Sequence, residues 1–163
     1  MLIKLKNKDT LIFDDFLFQC SVGKNGIKTN KIEGDKSTPK GIFLLKEVYY
    51  RADRIKNLKT KLNSKKISPN MGWCDDPLSK SYNSLINIKN NVHHEKMFRK
   101  DCKYNIIIVL DYNIKKPIPY KGSAIFIHVT ENYKKTNGCI SLNQKDLLIL
   151  LKLINKKTMI KLT

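Results

Sequence analysis

The sequence predicts a single, mainly β domain with a few helices, and three observations lead to that fold class. The chain has 163 residues and a mass of 18.9 kDa, which suits one domain with its own hydrophobic core. Most of its apolar segments are short and rich in β-branched or aromatic residues, as strands are. Only one segment, near the C-terminus, has the length and composition of a buried helix. We therefore expect residues 1–163 to form one domain.

The predicted strands follow one another along the chain. Residues 1–6 alternate apolar and basic side chains, which is typical of a first strand. Residues 11–22 are rich in strand-forming residues and the glycines of residues 23–26 supply a turn, so we expect two strands joined by a tight loop. The remaining predicted strands are residues 42–50, 104–112, 123–129, 139–142 and 158–163. The segment 104–112 is continuous in Ile, Val and Leu, so we expect that strand to be buried.

Two helices are predicted between these strands. The segment 144–155 is apolar almost all round, so we expect it to be buried. Asn143, followed three residues later by Asp146, is typical of the N-cap of that helix. A second, short helix is predicted at residues 92–99.

Residues 51–91 are the least regular part of the chain. The segment is dense in Lys, Asn and Ser and shows no sustained period, although helical spacing relates Ile55, Leu58 and Leu62. We interpret it as an irregular, partly ordered insertion, and loops of that length are often functional.

The formal net charge is +18, but its composition argues against a nucleic-acid reader. Of the 32 basic residues, only Arg51, Arg54 and Arg99 are arginine. Abundant Asn and Ile beside only two Ala are typical of AT-rich coding sequence, which raises the lysine content without selection for a polyanion. Arginine supplies the bidentate contacts to bases and phosphates. Nucleic-acid binding is therefore disfavoured, and a basic nucleic-acid or polyanion binding module remains the alternative to an enzyme.

The cysteines and histidines do not predict a metal site. They show no C-x-x-C pair and no regular spacing, which argues against a zinc ribbon or finger. Disulfides are possible in an oxidising compartment but are not needed at this size. No apolar run approaches the roughly 18 residues of a membrane span, and the first residues lack the apolar region of a secretory signal. The sequence carries no indication of oligomeric state.

The segment that carries chemistry joins a histidine to a cysteine. His128 lies near the end of a predicted strand, and ten residues separate it from Cys139, which directly follows Gly138. A nucleophilic cysteine needs a base, and a preceding glycine lets backbone N–H groups approach a developing oxyanion. An arbitrary His and Cys would be interpreted as a satisfied strand-end histidine and a small buried side chain. The surrounding pattern favours catalysis instead.

This pattern resembles the catalytic signature of the L,D-transpeptidases of the YkuD family. There, a strand histidine is followed after a loop by [Ser/Thr]-x-Gly-Cys-[Ile/Val], and residues 136–140 of this chain fit that turn. Four other segments resemble elements of the family or of one bacterial branch of it: Thr38-Pro39-Lys40-Gly41-Ile42-Phe43 with Glu33-Gly34-Asp35 before it, Gly72-Trp73-Cys74-Asp75-Asp76-Pro77, Tyr82-Asn83, and Arg99-Lys100-Asp101. The resemblance spans roughly residues 26–154.

The resemblance implies an L,D-transpeptidase catalytic domain with a β-sandwich or barrel-like fold, acting on peptidoglycan stem peptides without a metal or organic cofactor. Cys139, activated by His128, attacks the carbonyl of the donor's third residue, expels D-Ala and forms a thioester. The N–H groups of Gly138 and Cys139 are the expected oxyanion donors. An acceptor amine resolves the thioester in transpeptidation, and water does so in the L,D-carboxypeptidase variant.

The location implied by the resemblance is the cell envelope or periplasm. The first residues show no signal peptide, which conflicts with that location. Three explanations stay open: the given sequence starts after a leader, the protein is exported by a non-standard route, or the substrate is an intracellular muropeptide.

The substrate contacts are expected around the same turn. Many family members have an arginine two residues after the cysteine, whereas this chain has Ser141 there, so another cation is expected, either Arg99 or a lysine. Alternatively, Arg99 forms a structural pair with Asp101 or Glu95. Asn137 and Ser141 are expected beside the substrate. No arginine follows the cysteine, which argues against a sortase-like enzyme, and the order of His and Cys argues against papain-like folds.

Three residues of the Gly-Trp-Cys-Asp-Asp-Pro stretch have two open interpretations. Trp73, Asp75 and Asp76 line a cleft and bind the amine of a diamino acid, or the tryptophan caps the core while the aspartates cap a turn. For the adjacent histidines His93 and His94, a surface position is favoured over a metal site. Cys74 and Cys102 are interpreted as structural.

Overall fold

The structure is a computed structural model that describes residues 1–88 and 92–163. It is mainly β, which confirms the predicted fold class. The strands are β1 (Leu2–Lys6), β2 (Thr10–Phe13), β3 (Phe16–Ser21), β4 (Ile27–Lys28), β5 (Thr38–Pro39), β6 (Gly41–Tyr50), β7 (Asn63–Lys66), β8 (Met71–Cys74), β9 (Leu85–Asn87), β10 (His94–Lys96), β11 (Ile106–Leu110), β12 (Phe126–Val129), β13 (Ile140–Leu142) and β14 (Met159–Leu162). The helices are a 3-10 turn, Lys103–Asn105, and α1, Gln144–Leu153.

The main sheet closes on itself like a barrel. Its strand order is β11-β12-β13-β3-β2-β1-β14-β6-β7, and the ring closes because β6 also pairs with β11. The first half of the long strand β6 pairs with β14 and its second half pairs with β11, so this one strand joins the two ends of the ring. Closure pairs β11 with β6, and β7, which pairs only with β6, remains as an edge strand. A small sheet of β10-β8-β9 lies beside it.

Strand β11 is buried on both faces, and this explains its continuous apolar sequence. Ile106, Ile108 and Leu110 belong to the larger apolar cluster, which also includes the inner residues of α1. Ile107 and Val109, on the opposite face, belong to a second cluster. Successive side chains of a strand point to opposite faces. A strand between two clusters must therefore be apolar throughout.

Helix α1 begins at the predicted N-cap. The Asn143 side chain accepts a hydrogen bond from the Asp146 N–H at 2.8 Å, as the sequence pattern predicts. The expectation that the whole helix is buried is wrong, because the helix packs on the sheet by one side only. Leu147, Leu150 and Leu151 are fully buried, whereas Ile149 is 39% exposed.

The middle of the chain contains more strands than the sequence predicts. The helix predicted at residues 92–99 is wrong, because His94–Lys96 is a strand, β10, paired antiparallel to β8. Within the segment expected to be irregular, the structure has β7, β8 and β9, and residues 89–91 lie outside the described residues.

Within residues 1–88 and 92–163, no helix is long and apolar enough to cross a membrane.

Candidate active site

Cys139 lies at the end of a tightly bonded turn, directly before β13. Thr136 Oγ1 accepts a hydrogen bond from the Gly138 N–H at 3.1 Å and donates to the Cys139 carbonyl at 2.5 Å. Thr38 Oγ1 donates to the Gly138 carbonyl at 2.8 Å. Gly138 has φ +140°, and a Cβ there would stand 2.9 Å from the Ser37 carbonyl oxygen. Only glycine fits this backbone, which fixes the position of the cysteine.

His128 lies on the neighbouring parallel strand and shares a face with Cys139. The register pairs His128 of β12 with Ser141 of β13, and Cys139 stands two residues before Ser141. Residues two apart on a strand point to the same face. The intervening Ile127 and Ile140 belong to the larger apolar cluster on the opposite face. The sheet register therefore brings the histidine and the cysteine to one side of the barrel.

The hydrogen bond of the imidazole fixes its tautomer. His128 Nδ1 lies 2.8 Å from the Val129 carbonyl oxygen, so in the neutral ring Nδ1 carries the proton and donates it to that oxygen. Nε2 is then the acceptor nitrogen, as a general base requires. The Tyr104 ring meets the imidazole edge-on, with 5.6 Å between the ring centroids. Tyr104 and the Val129 carbonyl together fix the orientation of the imidazole.

Cys139 and His128 open onto one cavity of about 530 Å³. Seven of the nine residues that the sequence predicts for the site line it: Cys139, Gly138, Asn137, Ser141, His128, Arg99 and Asp75. Among the described residues, the buried hydroxyl oxygen of Ser141 has no hydrogen-bond partner. The cavity is large enough for part of a peptide, and its lining is mostly polar or charged.

The other two predicted residues do not line this cavity. Trp73 is 3% exposed, and its Nε1 donates to Asn83 Oδ1 at 2.9 Å. Its ring packs edge-on against Phe126, with 5.1 Å between centroids. Asp76 accepts the Leu78 N–H at 2.9 Å in a turn. For these two residues the structure matches the alternative interpretation, in which the tryptophan caps the core and the aspartate caps a turn.

Asp75 lines the cavity but already has a histidine partner. Its Oδ1 lies 2.6 Å from Nδ1 of His93, whose side chain is 80% exposed. The hydrogen bond and charge of Asp75 raise the pKa of His93. Among residues 1–88 and 92–163, no group of three or more His, Cys, Asp and Glu could hold a metal ion. All four cysteines are free thiols.

Arg99 lies on the cavity wall in a pair with Asp101. Nε and Nη2 of the guanidinium donate to the two carboxylate oxygens at 3.0 and 2.6 Å. Glu95, the other partner considered from the sequence, instead accepts the Tyr104 hydroxyl at 2.5 Å. Burial raises the pKa of the Glu95 carboxyl. Arg99 therefore forms the Asp101 pair of the structural interpretation. That pair leaves Nη1 of the guanidinium without a partner among the described residues.

The electrostatics keep both reactive groups neutral in the free protein. Burial raises the pKa of the Cys139 thiol to about 12, and the charge of Glu95 acts in the same direction. Burial lowers the pKa of His128 to about 4. The thiol donates to the Ala124 carbonyl at 3.1 Å. Near neutral pH the site therefore holds a thiol and a neutral imidazole.

The residues that line this cavity and that the sequence did not predict for the site include Lys31, Glu95 and Tyr104. Lys31 is only 3% exposed, and its ammonium pairs with Asp35 at 2.8 Å. Burial acts to raise the pKa of Asp35, but hydrogen bonds from Lys31, Ser37 and the Ile32 N–H outweigh it and hold that pKa well below its usual range. The only sequence signal was the position of Lys31 two residues before the Glu33-Gly34-Asp35 segment.

Protonation of His128 is expected to destabilise the fold as the pH falls from 6.5 towards 4. Its pKa drops from 6.5 to about 4 on folding, so in this window the unfolded chain binds a proton that the folded protein does not, and stability rises with pH. The gap corresponds to about 3 kcal/mol. Urea unfolding of the wild type and His128→Gln across this pH range measures it. The wild type should lose more stability on acidification, whereas equal losses would show that His128 does not titrate in this window.

A family model described as YkuD, the L,D-transpeptidase catalytic domain, matches residues 2–162, nearly the whole chain. No curated protein matches the sequence.

Proposed function

Because the chain belongs to the YkuD family of L,D-transpeptidase catalytic domains, we propose that it transfers peptidoglycan stem peptides through a Cys139 thioester. The observation that carries the proposal is the pairing of β12 with β13, which puts a base with a free Nε2 and a thiol on one face of the sheet and in one cavity. Family membership supports a site of action in the cell envelope, where peptidoglycan is cross-linked.

In the proposed acylation step, the Cys139 thiol gives its proton to His128 Nε2 as the sulfur attacks the carbonyl carbon of the donor's third residue. The carbonyl oxygen carries the negative charge of the tetrahedral intermediate. When the C–N bond breaks, the imidazolium returns the proton to the leaving nitrogen of D-Ala, and a thioester remains. Starting from a neutral pair avoids a buried thiolate before substrate is present, which agrees with the opposite pKa shifts of the two groups.

In the second step, an acceptor amine attacks the thioester carbonyl. His128 takes a proton from the attacking nitrogen and returns it to the sulfur as the C–S bond breaks, which restores the thiol. Water in place of the amine gives the carboxypeptidase reaction with the same proton transfers. The unpartnered Ser141 hydroxyl and the exposed Asn137 side chain are the proposed hydrogen-bonding groups for the peptide.

The direct test is intact mass after incubation with a tetrapeptide donor. A covalent adduct equal to the donor less D-Ala, together with free D-Ala, is the expected result. Adding an acceptor diamino peptide should return the protein to its original mass and yield the cross-linked product. A folded protein that releases no D-Ala and forms no adduct with several donors would contradict the proposal.

Arg99 is proposed as a carboxylate anchor for the donor. Asp101 occupies Nε and Nη2, which leaves the two hydrogens of Nη1 for a second carboxylate. We expect Arg99→Lys to raise the KM for the donor roughly tenfold while the Tm stays nearly unchanged, because a lysine keeps the charge but not the planar fork. Steady-state kinetics and thermal unfolding measure the two quantities.

The control for Arg99 is Asp101→Asn, which weakens the pair and leaves the guanidinium in place. It should preserve most of the donor affinity. A lower Tm with unchanged KM in Arg99→Lys would identify a purely structural pair and contradict the anchoring role. The pair is about one-third exposed on both sides, so solvent screening keeps its contribution to stability small.

A further inference from the structure

Lys31 is a buried lysine whose ammonium lies close to Gly138 in the turn that carries Cys139. Its stem lies against Gly122, where a Cβ would stand only 2.8 Å from Lys31 Cε. Its ammonium nitrogen lies 3.6 Å from the position that a Cβ of Gly138 would occupy. The absence of a side chain at Gly122 therefore makes room for the lysine stem, and the ammonium comes within van der Waals distance of the nucleophile turn. A buried ammonium against the residue before Cys139 is a costly arrangement unless its charge is paired or used.

The partners of this ammonium leave part of it free. Nζ donates to Asp35 Oδ1 at 2.8 Å and lies 3.4 Å from the Ile32 carbonyl oxygen. An ammonium has three N–H donors. Among the described residues, the third donor has no partner, and Lys31 lines the cavity that Cys139 opens onto.

The oxyanion donors expected from the sequence are incomplete in this structure. The Gly138 N–H is already engaged, because it donates to Thr136 Oγ1 at 3.1 Å within the turn. Of the two expected N–H groups, only that of Cys139 remains as a candidate. Beside the Cys139 N–H, a second donor or cation is expected at the point where negative charge develops. Stabilisation of that charge is usually the largest part of catalysis in acyl transfer.

The charges around the thiol come from several elements. Glu95 on β10 disfavours the thiolate, and the Lys31 charge favours it. His128 on β12 and Tyr104 of the 3-10 turn also line the cavity, and Asp35 lies behind Lys31. Arg99, Lys103 and three further lysines also line the cavity, but of the described cations Lys31 is the one whose charge lowers the pKa of the Cys139 thiol.

We propose that the Lys31 ammonium stabilises the negative charge that develops on the Cys139 sulfur and then on the substrate carbonyl oxygen, in place of the second backbone N–H. The proposal rests on the function proposed above. Lys31 acts on the reacting atoms through its charge, and Asp35 holds the ammonium in place. The sequence led us to expect that Arg99 or a lysine replaces the arginine that many family members have at the position of Ser141. In this proposal Lys31 supplies a cation at the nucleophile and not at the substrate carboxylate.

The test compares two variants that break the same ion pair but change the charge near Cys139 in opposite directions. Lys31→Met removes the positive charge, whereas Asp35→Asn removes its counter-charge and leaves the ammonium. The readout is the rate of Cys139 alkylation by iodoacetamide at mildly alkaline pH, measured in a Cys102→Ser background because Cys102 is exposed. This readout needs no peptidoglycan substrate, so it remains informative if the proposed transpeptidase activity fails.

We expect Lys31→Met to slow alkylation roughly tenfold, which corresponds to a rise of about one unit in the thiol pKa. Asp35→Asn should leave alkylation unchanged or faster, and Lys31→Arg should keep most of the rate. With a donor peptide, acylation by Lys31→Met should fall roughly 10²-fold in kcat with little change in KM. The matched control is Lys40→Met, which removes one exposed positive charge from the same segment outside the cavity and should change neither rate.

Equal slowing of alkylation in Lys31→Met and Asp35→Asn, with equal losses in Tm, would overturn the proposal and leave the ion pair as a structural clamp. If Lys31→Met does not fold, Asp35→Asn still decides, because slower alkylation in this folded variant contradicts an electrostatic role.

Discussion

Replacing Cys139 with alanine is expected to reduce donor turnover to background and to abolish every covalent adduct. The other thiols cannot substitute for it. Cys20 and Cys74 are buried and do not line the cavity that holds His128, and the exposed Cys102 also lies outside it. Intact mass and peptide mapping after exposure to a carbapenem or to a tetrapeptide donor measure the result. Cys139 should be the only modified cysteine in the wild type.

The matched control is Cys102→Ala, which removes an exposed thiol without touching the cavity. It should acylate at the wild-type rate. An adduct on Cys20, Cys74 or Cys102 that persists in Cys139→Ala would contradict the assignment of Cys139 as the nucleophile.

The second large effect is expected from His128→Ala, which should lower the acylation rate roughly 10²- to 10⁴-fold, the usual range for a positioned acid–base group. The thiol of Cys139 has a pKa of about 12, so little thiolate forms near neutral pH without a base to accept the proton. Stopped-flow acylation by a carbapenem measures the rate, and circular dichroism checks that the variant folds.

His93→Ala is the control for His128. It removes a largely exposed imidazole near the same cavity, and the acylation rate should change by no more than a few fold. If a folded His128→Ala variant keeps wild-type thiol alkylation and donor turnover, His128 is structural and the proposed mechanism is wrong.

Local sequence patterns predicted most of the strands, the start of α1 and the residues proposed as the centre of the site. Strand composition predicted the barrel strands, and the spacing of Asn143 and Asp146 predicted the start of α1, because backbone preference and capping depend on near neighbours. The His128 strand, the following loop and the Gly138-Cys139 turn were recognisable because their chemistry depends on residue type and short spacing. The family was recognised for the same reason, and the match over residues 2–162 confirms it.

Other features depend on contacts between residues that are far apart in the chain. The helix predicted at residues 92–99 is a strand because β10 pairs with β8, some twenty residues earlier, and local spacing cannot show such pairing. The sequence left Trp73 open between a cleft and the core, and it lies in the core because Phe126 packs against it. The Gly138 N–H is occupied because the turn folds back on Thr136.

The sequence alone thus determined a mainly β domain with a cysteine and a histidine in a recognisable order. Tertiary structure alone decided which charge acts on them. Lys31 is one of 32 basic residues, and the local pattern does not show that its ammonium lies beside the nucleophile turn. Lys31 is buried beside that turn because Gly122, about 90 positions later in the chain, leaves room for its side chain. Burial strengthens the electrostatic interaction between two charges because it lowers the local dielectric constant, and burial is a property of the folded chain.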